Sequence, residues 1–254
     1  MSRRDEWSVL DREQLRENRR VWQSLATSFD KTRTKPWETV RTFLSELPAR
    51  SRVLDAGCGN GRHAMLVKEA GHEVTGLDLA RNLVAIARDK VAADRAKWVE
   101  GALERLPFRN DSFDAVMAIA VLHHVRGHSQ RVAVLRELMR VLKPGGRALL
   151  SVWARDQPRF GPGKEPVVPA DGRPVEPGDA HVRWTQHGLD VPRYIHLFTW
   201  TEWRHELDAA HATIERIWPE AIMTKAEPDN FFALLRRKTP KKTDANVKAT
   251  AERQ

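Results

Sequence analysis

The stretch from Val53 to Gly61 reads VLDAGCGNG and decides the fold. Its first residues predict the end of a buried strand, and its three glycines predict a tight turn into a helix that begins near Arg62. A dinucleotide-binding fingerprint would place its third glycine one position later, where this chain has Arg62. The spacing therefore favours a ligand without a pyrophosphate, with a plain turn as the alternative.

The next apolar strand lies in HEVTGLDLA, residues 72–80, and ends at Asp78. An acid roughly 20 residues beyond such glycines is where a ribose diol would be held, because a carboxylate accepts a hydrogen bond from each hydroxyl. The alternative is that Asp78 caps a helix beginning near Arg81.

Strand, glycine loop, helix, strand and acid in this order resemble the first two motifs of the class I S-adenosylmethionine-dependent methyltransferases. That resemblance implies a Rossmann-like α/β sheet that is mostly parallel, with an antiparallel last strand and helices on both faces. It also implies S-adenosylmethionine as the cofactor, with the glycine loop around its methionine part and the acid on its ribose.

Length and composition suit one α/β domain with additions, since the chain has 254 residues. A formal net charge of +9 and a pI near 10.0 favour a polyanionic partner without proving one. Cys58 is the only cysteine, so no internal disulfide is possible and a reducing, cytoplasmic location is expected. No apolar run is long enough to cross a membrane, so no membrane partner is expected.

The domain is expected to span residues 1–236. It should begin with a helical lid over about 1–47 and contain an irregular, Pro- and Gly-rich insert over about 156–192. Residues 237–254 are basic and have few large apolar groups, which predicts a disordered tail.

A fourth strand, predicted over Phe113–Val121, leads directly to His123 and His124. Ligands of open α/β sheets bind beyond the carboxyl ends of the strands, so the glycine loop, Asp78 and these histidines should converge. No metal is expected there, because no cysteine or carboxylate stands nearby at metal-ligand spacing.

Longer motifs resemble one family in particular, the eukaryotic-type tRNA wobble-uridine carboxymethyl methyltransferases, over about residues 22–236. They are SFDKTRTKPW (28–37), IAVLHH (119–124), LKPGG (142–146), SVWA (151–154), RYIHLF (193–198) and DNFF (229–232). The resemblance implies esterification of 5-carboxymethyluridine in a tRNA anticodon stem-loop. It also implies a small zinc-binding activator subunit as a possible partner.

This chemistry and the resemblance together suggest the site residues. A carboxylate is ionised at neutral pH, so the protein's main task is positioning, and an arginine can hold a carboxylate with two parallel hydrogen bonds. The candidate catalytic residues are Arg33, His124 and Arg193, with His124 expected to donate to the carboxylate or orient the base. The other candidates for substrate binding are Lys35, Trp37, Tyr194 and His196. The candidates for cofactor binding are Asp55, Gly57, Gly59, Asn60, Gly61, Asp78, Leu79, Leu103 and Ala120.

Three positions depart from the family pattern. Ala102 stands where many class I enzymes place an acid for the adenine amino group, so adenine binding would rest on backbone groups near Leu103. Ala170 and Ile195 stand where the family tends to have aromatic residues. These departures bear on the exact substrate rather than on the cofactor.

Two other functions remain open. A small-molecule methyltransferase could use the same core motifs, with its substrate entering under the N-terminal lid, although the basic charge and the TRTKPW and RYIHLF stretches weigh against it. A non-catalytic RNA- or partner-binding scaffold is the other, although the intact glycine loop and Asp78 weigh against it.

Overall fold

The computed structural model describes residues 9–92, 96–160, 168–169, 172–173, 175–223 and 227–239. Six α-helices and nine strands form within this part of the chain. The helices are α1 (Val9–Thr32), α2 (Glu38–Ser45), α3 (Arg62–Glu69), α4 (Arg81–Lys90), α5 (His128–Val141) and α6 (Trp200–Asp208). The strands are β1 (Arg52–Ala56), β2 (Glu73–Asp78), β3 (Ala96–Glu100), β4 (Phe113–Ile119), β5 (Leu142–Trp153), β6 (Asp179–Trp184), β7 (Val191–His196), β8 (Thr213–Glu220) and β9 (Asn230–Arg236).

The main sheet has seven strands in the order β3-β2-β1-β4-β5-β9-β8. Strands β1 to β5 are mutually parallel, whereas β9 runs antiparallel to both β5 and β8. The predicted mostly parallel α/β sheet with an antiparallel last strand is confirmed. The strand order reverses between β1 and β4, which is the position where open α/β sheets leave a crevice for ligands.

Apolar residues of the sheet alternate between two cores, one on each face. Val53 belongs to the core that includes Phe43 of α2 and Val67 of α3. Leu54, one residue further along β1, belongs to the core that includes Leu135 of α5. Successive side chains of a strand point to opposite faces, so a central strand buried on both sides reads as continuously apolar. The predicted helices on both faces of the sheet are confirmed.

Strands β6 and β7 form a separate antiparallel pair, with Ala180 opposite Ile195. The prediction of an irregular insert over 156–192 is therefore wrong for residues 179–184. The hydrogen-bonding partner of this segment lies beyond a turn, in β7, and a small shared apolar core with Leu197 stabilises the pair. Ala170 lies outside the described residues, as do residues 1–8 of the expected lid and 240–254 of the expected tail.

Across the described ranges, every helix is too short or too polar to cross a membrane.

Candidate active site

The glycine loop turns sharply at the end of β1. Gly57 and Gly59 have φ angles of 79° and 53°, in the left-handed region that disfavours side chains. A Cβ on Gly57 would lie 2.3 Å from Cγ2 of Val121, so only glycine fits there. The backbone N–H groups of Gly57 and Cys58 both donate to the carbonyl oxygen of Leu77, at 2.7 and 2.9 Å. These bonds hold the loop against the end of β2.

Asp78 joins the glycine loop to the start of α4. One carboxylate oxygen accepts a hydrogen bond from the Gly59 N–H and the other from the Ala80 N–H, both at 2.9 Å. Burial raises the pKa of Asp78 to about 6, although hydrogen bonds from Ala80, Gly59 and Leu79 act in the opposite direction. An ionised carboxylate has about four acceptor sites, so the three backbone N–H groups leave Asp78 able to accept a further hydrogen bond from a ribose hydroxyl. Asp78 is not the N-cap of α4, because Ala80 occupies that position and no side chain caps this helix.

A cleft opens above the carboxyl ends of β1, β2 and β4, with about 1160 Å³ of empty space when its open mouth is included. A concave cleft at this place in an open α/β sheet, lined by apolar side chains and a few polar groups, is typical of small-molecule sites. Seven of the nine predicted cofactor residues line it, namely Gly57, Gly59, Asn60, Asp78, Leu79, Leu103 and Ala120. Ala102 lines it as well, where an adenine ring would need backbone partners.

Asp55 and Gly61 are not among the described residues that line the cleft. Asp55 is buried behind the loop, where burial and the Asp78 charge raise its pKa to about 7. Gly61 has a φ of 79°, and a Cβ there would lie 3.0 Å from the backbone of Ala87 in α4. Both residues shape the loop from behind, and their predicted contact with the cofactor stays a prediction.

Helix α1 and the residue after it supply one wall of the cleft, with Trp22 and Phe29 from the helix and Arg33 just beyond its end. The Asn60 side-chain amide donates to Oδ1 of Asp30 at 2.8 Å and to the carbonyl oxygen of Arg33 at 2.9 Å. The glycine loop is thus tied to the end of α1. Oδ1 of Asn60 is buried and has no hydrogen-bond partner among the described residues, so it can accept one from a ligand.

His124 lies at the end of β4, and its ring contacts Trp22 with centroids 4.8 Å apart. Its Nδ1 lies 3.2 Å from the carbonyl oxygen of Tyr194, which can only accept, so Nδ1 carries the proton. Burial and the nearby Arg193 charge lower the pKa of His124 to about 3, so the ring is neutral. Its Nε2 is therefore an acceptor, which favours the expected role of orienting the base over donation to the carboxylate.

Arg193 of β7 enters the cleft and is only 5% exposed. Its guanidinium carbon lies 5.7, 5.0 and 6.0 Å from the ring centres of Trp22, Trp184 and Trp153. Burial lowers the pKa of Arg193 to about 9, with repulsion from Arg159 and Arg33 acting in the same direction. Its Nε has no hydrogen-bond partner in the part of the chain that is described. A buried cation without a counterion is costly, and an anionic ligand would remove that cost.

Two more arginines line the cleft. Arg33 stands 5.4 Å from the Trp184 ring centre, and burial together with Arg159 lowers its pKa. Arg62 stands 5.0 Å from the ring centre of Trp37, another lining residue, and burial together with Arg33 lowers its pKa to about 10. Arg33, Arg62 and Arg193 therefore line one cavity together.

Three predicted substrate residues lie elsewhere. Lys35 is exposed and offers its backbone carbonyl oxygen to Arg62 at 3.4 Å. The Tyr194 hydroxyl donates to Asp179 at 2.6 Å, and the His196 ring lies between Asp179 and Glu202, each at 2.8 Å. Side chains alternate along a strand, so Tyr194 and His196 face away from the cleft that Arg193 enters. We assign them to holding β7 in place.

A buried ionic network lies behind β7. Arg131 of α5 is fully buried and pairs with Glu206 at 2.7 Å and Glu176 at 2.8 Å. His196 completes the network, and its bonds to Asp179 and Glu202 raise its pKa although burial acts to lower it. Polar atoms of Glu176, Asp179 and His196 lie within 4.8 Å of one another, but Arg131 already neutralises this cluster.

Sequence reasoning missed several residues of the site. They are Trp22, Trp153, Trp184, Arg62 and His63, which line the cleft, and Arg159, which stacks on Trp153 beside it. Only Arg62 carried a signal, because it follows the glycine loop directly. The tryptophans come from three distant segments, and nothing in their local sequence indicates that they meet.

A family model described as "Methyltransferase domain" matches residues 54–150, which run from β1 into β5 and include the glycine loop, Asp78 and both histidines. Residues 54–150 of this chain are thus similar to a methyltransferase domain. S-adenosylmethionine is the cofactor of this domain, and the loop backbone, Asp78 and the unpartnered Asn60 oxygen suit its amino-acid and ribose groups.

Curated relatives of the methyltransferase domain are tRNA-modifying enzymes. One is the tRNA (carboxymethyluridine(34)-5-O)-methyltransferase alkbh8 of Xenopus tropicalis, 40% identical over 150 residues, or 59% of this chain and 22% of the relative. Another is the tRNA (carboxymethyluridine(34)-5-O)-methyltransferase of Schizosaccharomyces pombe, 35% identical over 137 residues, or 54% of this chain and 57% of the relative. The matched region is thus less than two thirds of either relative.

Solved structures share the fold of the methyltransferase domain. The Burkholderia thailandensis 1,6-didemethyltoxoflavin-N1-methyltransferase, solved with S-adenosylhomocysteine, has a TM-score of 0.66 and 22% identity, covering 92% of this chain and 93% of that one. A methyltransferase solved in complex with the Haloferax volcanii Trm112 methyltransferase activator has a TM-score of 0.60 and 17% identity, covering 85% and 97%.

Proposed function

We propose that this protein methylates the carboxylate of 5-carboxymethyluridine at the wobble position of tRNA. The observation that carries the proposal is Arg193, a buried guanidinium without an acidic partner in the described chain, which faces the cofactor cleft. The names of the relatives at 35–40% identity supply the substrate, because they act on carboxymethyluridine in tRNA.

Arg193 binds the substrate carboxylate. A carboxylic acid has a pKa near 4 and is ionised at pH 7, so no general base is needed. A guanidinium holds a carboxylate through parallel hydrogen bonds, which orients one oxygen for attack. S-adenosylmethionine, when bound, supplies a methyl group carried on a positively charged sulfur. Arg33 contacts the same Trp184 ring as Arg193 and adds positive charge to the same wall.

The tryptophans exclude water from the reacting groups. Trp22, Trp153 and Trp184 all contact the Arg193 guanidinium. Opposite charges disappear during methyl transfer to a carboxylate, so a drier site favours the reaction. His124 presents a hydrogen-bond acceptor at Nε2, which suits an N–H of the uracil ring rather than the carboxylate.

The cofactor and the substrate use different cations. Arg62 begins α3 directly after the glycine loop and lines the cleft, where it suits the carboxylate of the methionine part. Arg193 lines the same cleft but comes from a different element, β7. This division explains why one cavity contains several arginines.

We extend the proposal to an activator subunit and to the cytoplasm. The structural neighbour solved with the Trm112 activator supports such a partner. The edge strand β3 has no fully buried residue and could receive an added strand. The single cysteine, Cys58, is unpaired and buried, which suits a reducing compartment.

The decisive experiment treats tRNA that carries 5-carboxymethyluridine with the purified protein and S-adenosylmethionine, with and without an added activator subunit. Mass spectrometry of the nucleosides should show an increase of one methyl group on the wobble uridine. Wobble nucleosides from cells that lack the protein should contain the free acid in place of the ester.

Two outcomes would contradict the proposal in different ways. Methylation of a free carboxylic acid but not of the tRNA would favour a small-molecule methyltransferase. Binding of tRNA, with a steep salt dependence but no methyl transfer in either preparation, would favour a non-catalytic scaffold.

A further inference from the structure

Arg159 stands beside the cleft and was not predicted to belong to the site. Its guanidinium carbon lies 5.4 Å from the ring centre of Trp153 and 5.5 Å from that of Phe160. Trp153 lines the cleft, whereas Arg159 keeps an exposed surface. Arg159 therefore extends the basic lining from the interior to the rim.

Arginines and tryptophans alternate along this wall. Arg193 contacts the rings of both Trp184 and Trp153, at 5.0 and 6.0 Å. Trp184 also holds Arg33 at 5.4 Å, and Trp153 also holds Arg159 at 5.4 Å. Each neighbouring pair of guanidinium groups thus shares one indole. Stacking on an indole fixes a guanidinium plane while leaving its N–H groups available to an anion.

The wall carries more positive charge than one carboxylate can neutralise. Arg33, Arg159 and Arg193 form no ion pair with any carboxylate of the described residues. The charge of Arg159 acts on both Arg33 and Arg193, so the three groups are close enough to repel one another. A ligand with a single negative charge would relieve only part of this repulsion.

We propose that Arg159 binds a phosphate group next to the modified base while Arg193 binds the carboxylate of that base. The substrate recognised at this site is therefore a nucleotide with two separate anionic groups, and not a lone carboxylic acid. This inference rests on the proposed function. The positions agree with the chemistry, because a small carboxylate can reach the buried Arg193, whereas a phosphodiester backbone stays at the exposed rim near Arg159.

The test compares three ligands on the protein loaded with S-adenosylhomocysteine. They are 5-carboxymethyluridine and its 3′- and 5′-monophosphates, whose affinities are measured by calorimetry. A charge-assisted hydrogen bond contributes about 1.5–3 kcal/mol, so one of the monophosphates should bind roughly ten-fold or more tightly than the nucleoside. The two monophosphates show which side of the nucleotide Arg159 contacts.

Arg159→Gln should bring that affinity ratio close to one and leave nucleoside and S-adenosylhomocysteine binding unchanged. Arg159→Lys should retain part of the ratio, because the charge remains. Arg155→Gln is the matched control, since Arg155 is an exposed arginine in the same segment, and it should keep the full ratio.

The inference is overturned if wild-type protein binds the nucleoside and both monophosphates equally, or if Arg159→Gln preserves the preference for phosphate. Either result leaves the proposed function intact. A wild-type protein that binds S-adenosylhomocysteine but none of the three ligands would overturn the proposed function and this inference together.

Discussion

Nδ1 of His124 lies 3.2 Å from the carbonyl oxygen of Tyr194, so the short helical turn that follows β4 is bonded directly to β7. The contact fixes the tautomer of His124 and places it beside Arg193, the residue that precedes Tyr194. A neutral ring with an acceptor at Nε2 next to a buried guanidinium is a pair that can bind a uracil N–H and a carboxylate at once. The predictions below test this arrangement and what supports it.

His124→Gln should change how stability depends on pH. Burial lowers the pKa of folded His124 to about 3, below its ordinary value of 6.5. The contribution of the neutral ring is therefore complete above pH 6.5 and is lost as the pH falls toward 3, at about 1.4 kcal/mol per pH unit. Denaturant unfolding at pH 7 and pH 5 should show wild type losing more stability than the variant. The pKa of His196 is raised instead, but His196 is present in both proteins and does not affect the comparison. If wild type and variant lose the same stability between pH 7 and pH 5, the lowered pKa of His124 is contradicted.

Arg193→Met should separate activity from stability. The variant loses the carboxylate ligand, so methyl transfer should fall at least 100-fold, or about 3 kcal/mol of transition-state stabilisation. It also removes a buried charge without an acidic partner in the described chain, so the thermal midpoint should rise. Affinity for S-adenosylhomocysteine should stay the same. Arg183→Met, an exposed position on neighbouring β6, is the control and should retain activity; a lower midpoint for Arg193→Met would indicate a structural role instead.

Asp78→Asn should weaken binding of S-adenosylhomocysteine by ten-fold or more, because an amide offers fewer acceptors to two ribose hydroxyls. Burial raises the pKa of Asp78 to about 6, so wild-type affinity should also fall as the pH drops from 8 to 5. Calorimetry at both pH values measures this. Asp89→Asn, an exposed acid beside Arg88, should behave as wild type. Normal binding by Asp78→Asn would remove Asp78 from the cofactor site.

Arg131→Leu should destabilise the protein by about 3–5 kcal/mol, because it leaves Glu206 and Glu176 without their buried counterion. The double variant Arg131→Leu/Glu206→Leu should recover most of that loss in denaturant unfolding. A double variant no more stable than the single one would mean that the network is not coupled in this way. Because the network holds the outer face of β7, Arg131→Leu should also lower methyl transfer without changing cofactor affinity.

Much of the cofactor site could be predicted from local sequence. Glycines at 57 and 59 are required by backbone angles, and Asp78 follows an apolar strand, so both appear as short patterns. Parallel strands align their carboxyl ends, which brings such residues together whatever the details of packing. The mostly parallel sheet with an antiparallel last strand, which the family resemblance implied, was predicted correctly.

The substrate side was predicted less completely. Arg193 was identified, but its neighbours Tyr194 and His196 were assigned to the same site. Alternation along a strand places them on the opposite face, yet which face meets the cleft depends on how β7 packs against α1 and β4. Strand β6 was taken as irregular because its pairing partner lies across a turn.

Sequence alone determined the α/β class, the glycine loop, the acid at the end of β2 and the basic character of the chain, since each depends on residues close together or on composition. Only the tertiary structure decided that Trp22, Trp153 and Trp184 surround one guanidinium, that Nδ1 of His124 meets the Tyr194 carbonyl oxygen, and that Arg159 stacks on Trp153. Those facts depend on contacts between segments far apart in the chain, and the burial that sets a tautomer or isolates a charge exists only after those segments have packed.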